Sequence, residues 1–168
     1  MKWINHQIVT GFIVFAATDN ALFVASSIVG AVIPDKVEGN PPKDSKAYWK
    51  WRKNHRTWSH YPIIYLALIG ILMFASDYFK DPTISLINEM AIYVLIGSLL
   101  HIAEDGICGR VPILTPTSKH GIKLFTVGSI TEYICAALII FICIFIRFGD
   151  FEEVLNIIIN NFKLLMNK

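Results

Sequence analysis

Residues 6–35 read HQIVTGFIVFAATDNALFVASSIVGAVIPD, an apolar run bracketed by His6 and by Pro34-Asp35 and broken in the middle by Thr18-Asp19-Asn20. Asp and Asn compete with the helix backbone for hydrogen bonds and favour turns. The run therefore reads either as one broken spanning helix with a buried Asp19 or as two short helices folded back as a hairpin over 6–34. Each half has about a dozen residues, roughly 18 Å at a rise of 1.5 Å per residue. The hairpin is the favoured reading, because it returns Asp35 to the membrane face on which His6 begins.

Three further apolar blocks follow, at 61–79, 84–104 and 124–148. A span needs roughly 20 apolar residues, so each is read as a transmembrane helix. The tail, 150–168, mixes Leu and Ile with Asn, Glu and Lys and is read as an amphipathic helix at the interface. The fold class is thus an all-α integral membrane protein, residues 1–168 forming one membrane domain. Composition agrees: 54% of the 168 residues are hydrophobic and only 17% charged, with a mean hydropathy of +0.52, where a soluble domain carries about a quarter charged residues. Cys108, Cys135 and Cys143 form no CxxC pair, which speaks against a disulfide framework. The first segment has no small-x-small cleavage site before a soluble domain and is read as retained.

Lys and Arg set the orientation. Lys36, Lys43, Lys46, Lys50, Arg52, Lys53 and Arg56 lie between the first and second blocks, and Arg110, Lys119 and Lys123 between the third and fourth. The turn between the second and third holds Lys80 against Asp77 and Asp81. The two basic segments are therefore assigned to the cytoplasm. The stretch Lys46-Ala47-Tyr48-Trp49-Lys50-Trp51-Arg52-Lys53 interleaves aromatics with cations. Nucleic-acid binding uses such patterns, but in a membrane chain they anchor a loop in anionic headgroups, so lipids and not nucleic acid are the expected partners.

The same cytoplasmic face collects the chemistry. His101 and Asp105, spaced i, i+4, project from one helical face about 5–6 Å apart, with Gly97 and Gly109 on the same stripe. A lone His-x3-Asp is equally a structural hydrogen bond. Cys108, near that face, reads as packing. His55 and His60 are five apart, about 140° around a helix, and point at one ion only if His55 lies in a loop and Thr57 or Ser59 caps the helix that starts near His60. Asp35 and Glu38 add carboxylates that offset a metal's charge. Glu132, inside the fourth block, needs a partner to stay ionised, such as a ligand histidine. His120 falls on that side with nothing around it to suggest a ligand. His6, Asp35, His55, His60, His101 and Asp105 are the candidate ligands of one or two divalent ions, with zinc the first choice. Glu132, Glu38 and Arg56 are the candidate catalytic groups, the carboxylates as bases and Arg56 as a phosphate holder.

These residues carry a resemblance. His6, Pro34-Asp35, the block His55-Arg56-Thr57-Trp58-Ser59-His60, and His101-x3-Asp105 followed by Gly109 and Pro112 resemble the YdjM-type family of membrane-bound metal-dependent hydrolases. Gly128-Ser129-x-x-Glu132 is similar to a pattern at the last helix of some members, so the resemblance runs to about residue 135. Members often show Pro-Asp-x-Asp-His where this chain has Asp35-Lys36-Val37-Glu38, and Gly where it has Thr57. The resemblance implies a multi-helix fold in a bacterial inner membrane, a divalent metal and hydrolysis. It names no substrate, although a site at headgroup depth suggests a phosphoester or lipid-linked one. The alternatives are a non-enzymatic protein whose metal is structural or transported, and a small membrane-interaction protein with no metal.

Overall fold

The computed structural model describes residues 1–149 together with Asn156, Ile159, Asn160 and Lys163. The expected amphipathic tail at 150–168 lies almost wholly outside the described residues. In chain order the helices are α1 (Trp3–Thr18), α2 (Ala21–Gly30), α3 (Ile33–Glu38), α4 (Ser45–Asn54), α5 (Pro62–Ser76), α6 (Pro82–Cys108) and α7 (Ile130–Phe148). A 3-10 turn spans Trp58–His60, and two short antiparallel strands, β1 (Val111–Pro112) and β2 (Lys119–His120), clip the loop after α6.

The break at Thr18-Asp19-Asn20 is a real interruption. Asp19 takes the left-handed conformation (φ +52°) as the C-cap of α1, and Asn20 caps α2 by accepting from the backbone N–H groups of Leu22 and Phe23. α1 has 16 residues, about 24 Å, longer than the half-hairpin expected from sequence. It runs beside α7, tied at one end by Lys2 N–H to Glu132 and at the other by Arg147 to Asp19. Asp19 therefore sits level with the end of α7, and not in the middle of the bundle.

α6 and α7 are long and apolar enough to cross a membrane, at 27 and 19 residues. α5, expected over 61–79, has only 15 residues and falls short of that length. Proline fixes the starts: Pro62 opens α5 and Pro82 opens α6, where the missing N–H costs nothing. α6 also continues past 104 to Cys108. α7 starts six residues later than the apolar run suggests. Gly128 (φ +83°) turns the chain and the Ser129 hydroxyl caps the helix at the Glu132 N–H. Before that, Leu124 N–H bonds the carbonyl of Ile107 and Ile122 N–H that of Gly106. Ile122 and Leu124 thus finish the last turn of α6, and residues 124–127 join no helix.

The tightest packing is α2 on α6. A Cβ on Gly30 would overlap the Val94 carbonyl, and one on Gly97 the Ser27 carbonyl. The Ser98 hydroxyl donates to the Gly30 carbonyl at 3.0 Å across the crossing. Small residues at both faces are how membrane helices approach this closely. Gly97→Val should lower stability by at least about 1–3 kcal/mol, the usual cost of overpacking. Thermal unfolding in detergent checks this, and Gly70→Val on α5, where a Cβ meets nothing within 4 Å, should leave the midpoint unchanged.

Candidate metal centre

The α2–α6 crossing delivers the first histidine. One turn beyond Gly97, His101 is fully buried and its Nδ1 lies 2.6 Å from the carbonyl of Ala31, the residue after Gly30. That acceptor makes Nδ1 a donor and turns Nε2 toward the carboxylates. His6 repeats the arrangement from α1. Its Nδ1 lies 2.6 Å from Glu104 Oε2, while Thr10 donates to the other Glu104 oxygen at 3.1 Å. His60, in the 3-10 turn, has Nδ1 2.9 Å from the Ser59 hydroxyl. Three imidazoles are thus held from behind, each presenting Nε2.

Those three Nε2 atoms, with Asp105 Oδ2, are buried and have no hydrogen-bond partner. A buried polar atom without a partner costs about 1–3 kcal/mol, and four facing one another require an explanation. Asp35, His60, His101 and Asp105 each offer a ligand atom, all within 4.8 Å of one another. His60 Nε2 is 3.3 Å from Asp35 Oδ1 and 3.5 Å from Asp105 Oδ2; His101 Nε2 is 3.7 and 3.4 Å from the same two atoms. Two donors held tetrahedrally at about 2.1 Å from one ion lie about 3.4 Å apart. The group therefore has the spacing of a ligand shell. His6 flanks it, with Nε2 3.3 Å from Asp105 Oδ1 and its ring 4.0 Å from that of His101.

Positive charge surrounds the carboxylates. Asp105 Oδ1 also receives the Met1 amine at 2.9 Å and Arg56 at 2.8 Å. Asp35 Oδ2 accepts from the Trp3 indole at 2.6 Å. Burial alone would raise the Asp35 carboxyl, but the nearby imidazoles of His101 and His60 and the bond from the Trp3 indole outweigh that and hold it well below the usual carboxylate range. Glu38 is likewise pushed up by burial and brought down further by His55 and the Arg56 N–H.

The remaining expected residues fall nearby or elsewhere. His55 stands outside the four-residue group: its Nδ1 is 2.8 Å from Glu38 Oε2 and its ring stacks on Trp51 at 4.5 Å. As the C-cap of α4 it does lie outside a helix, but neither Thr57 nor Ser59 caps α5, which takes Tyr61 as its N-cap. Arg56 adopts φ +57° at the bend. Glu132 is fully buried, and its partners are the Lys2 and Gly128 N–H groups and the Asn5 amide, with no histidine among them. Cys108 packs against Met1 and Phe125, with Sγ 3.1 Å from the Met1 amine. His120 bonds Ser118 in the exposed loop. The sequence reading missed Glu104, Trp3 and the Ala31 carbonyl. Of these only Glu104, a carboxylate beside Asp105 on an apolar helix, carried a signal.

A chain of packed apolar helices with a buried group of histidines and aspartates at one end is a membrane protein with a candidate metal site. Residues 1–165 match the model of the YdjM inner membrane protein family, and the chain belongs to that family. The family and the two apolar helices place it in the inner membrane. No match was found among curated proteins or solved structures.

The shell predicts its own dependence. His60→Ala combined with His101→Ala should abolish bound metal in elemental analysis of purified protein. Glu104→Ala, which frees only the back of His6, should weaken metal affinity about 10–100-fold, as loss of supporting bonds does. Metal retained unchanged by both variants would place the ion elsewhere.

Proposed function

We propose that the protein is a membrane-embedded hydrolase that depends on a divalent metal, zinc by its donor set, and acts on a phosphoester or lipid-linked substrate at the cytoplasmic face. The observation that carries this reading is the convergence of unpartnered, buried Nε2 and carboxylate atoms at ligand spacing. Asp35, His60, His101 and Asp105 hold the ion and His6 completes or flanks the shell. A divalent ion so held supplies Lewis acidity and an activated water.

The chain's own groups divide the remaining work. A cleft of about 140 Å³ between Trp3 and Trp51 has Asp35 and His55 on its wall, so a substrate can approach the group from the interfacial side. Glu38 holds His55 at 2.8 Å and together they form the proton acceptor. Arg56, beside Asp105, supplies the fork for a phosphoryl group. Glu132 positions: its carboxylate ties the start of α1, and with it His6, to α7. The base role considered for it from sequence passes to Glu38. A second ion near His55 and Glu38 is the two-metal version of the same reading.

The hairpin of α1 and α2, three spans including the short α5, and cytoplasmic basic segments complete the topology within one membrane domain. α4 supports it, with Asp44 capping a helix rich in Lys and Arg and an exposed Trp49 suited to headgroups. A second reading, a structural or transported ion in a non-enzymatic protein, draws on the complete burial of His6, His60, His101 and Asp105.

Two measurements follow. Single cysteines replacing Lys2 and Lys36 in a cysteine-free background should react with a membrane-impermeant thiol reagent from the same side; opposite sides would contradict the hairpin. Glu38→Gln should keep its metal and lose at least about a hundredfold in turnover, the scale of a lost general base, while Asp105→Asn should lose both. Tightly held metal without hydrolysis of any phosphoester or lipid substrate by the wild type would favour the structural ion.

A further inference from the structure

A second concavity lies outside the metal centre. α1 and α2 line a groove of about 460 Å³ with almost wholly apolar walls, running from Ile4 to Phe15 along α1 and past Val24 and Ile28 of α2. Along α1 it covers the rise from Ile4 to Phe15, about 16 Å. Gly11 forms part of its floor; a Cβ there would press the tip of Ile28 at 3.1 Å. The groove is apolar and follows the helix axis as an extended hydrocarbon chain would.

Its upper end meets the site. Ile4 follows Trp3, whose indole bonds Asp35, and Ile28 precedes by one turn Ala31, whose carbonyl holds His101. Lys36 stands at that end with its ammonium 4.6 Å from the Trp3 ring centre. Inside a bilayer an apolar wall gains little by meeting a lipid tail, because the tail is equally apolar in bulk lipid. Selectivity must come from the headgroup end, and there the exposed charge is a cation, complementary to a phosphate. The chain is an inner membrane protein, so its outer faces are already in contact with lipid and the groove is continuous with them.

We infer that the groove binds one acyl chain of a phospholipid whose phosphate is drawn in by Lys36 toward the Arg56 fork, with its headgroup over the cleft between Trp3 and Trp51. This rests on the hydrolase reading for its functional sense, since it names a glycerophospholipid as the substrate class of that site. The groove holds the chain parallel to α1, and the phosphoester linkage then lies at the depth of Asp35.

The test uses the full-length protein in phosphatidylethanolamine vesicles, with phosphatidylglycerol carrying a diazirine at mid-chain as the probe, and mass spectrometry to map adducts. Adducts should concentrate on α1 and α2 between residues 4 and 28. They should fall about tenfold, the factor that 1.4 kcal/mol corresponds to, in Gly11→Leu and separately in Ile8→Trp, each of which fills the groove. A diacylglycerol probe, which has the chains and no phosphate, should label α1 and α2 several-fold less, and Lys36→Ala should remove that preference. Adducts spread over α5, α6 and α7 in proportion to exposure would overturn the inference, as would equal labelling by both probes or displacement of the probe by cross-linking between two copies of the chain. Metal content measured on the same samples separates the two proposals: labelling without metal keeps the groove and removes the hydrolase, and metal without labelling does the reverse.

Discussion

The close approach of α2 and α6 at Gly30 and Gly97 is the constraint from which the site follows. A side chain at either glycine would collide with backbone, so the helices touch only because both positions lack one. That contact places the carbonyl of Ala31, the C-cap of α2, under His101, and the carbonyl fixes the tautomer that turns Nε2 toward Asp105 and Asp35. Shifted by the radius of a methyl group, the same histidine would lose its acceptor. The packing energy of an apolar crossing and the chemistry of the centre are therefore one structural fact.

Around that contact the chain gathers donors from four separate segments: α1, α3, the turn before α5, and α6. Each is oriented by a neighbour that takes no part in the central group. Glu104 and Thr10 steady His6, Ser59 steadies His60, and Trp3 steadies Asp35. Supporting bonds of this kind pre-pay the ordering of a metal shell and raise the basicity of the imidazoles. Without an ion, Nε2 of His60 and of His101 and Oδ2 of Asp105 are buried atoms that lack a hydrogen-bond partner. With a divalent ion between them they become the polar anchor of a bundle otherwise held by apolar contact.

Much of this was legible in the residues. The apolar runs gave helices, Thr18-Asp19-Asn20 gave a break, and the positions of His60, His101, Asp35 and Asp105 gave a group at one end. The limits were physical. Hydropathy could not see that Ile122 and Leu124 bond back to α6, because apolar side chains do not reveal where backbone N–H groups are spent. It could not shorten α5, which ends where the Tyr78 and Phe79 N–H groups turn back to the carbonyls of Ala75 and Ser76. Glu132 looked like a base because two of its partners, the Lys2 N–H and the Asn5 amide, come from the far end of the chain and leave no motif. Glu104 was overshadowed by Asp105, since periodicity puts only one of two adjacent residues on the expected face. His55 shared a motif with His60 and shares Glu38 with it as a neighbour, yet only His60 also reaches Asp35 and Asp105.

The central claim is that imidazole and carboxylate atoms from these four segments share an ion. X-ray absorption at the metal edge, on protein purified with its metal retained, tests it most directly. The account predicts a first shell of nitrogen and oxygen at about 2.0–2.2 Å with the multiple-scattering pattern of two or three imidazoles. An edge showing sulfur at about 2.3 Å, which would point to Cys108, or protein that carries no metal after purification and binds none on titration, would contradict it.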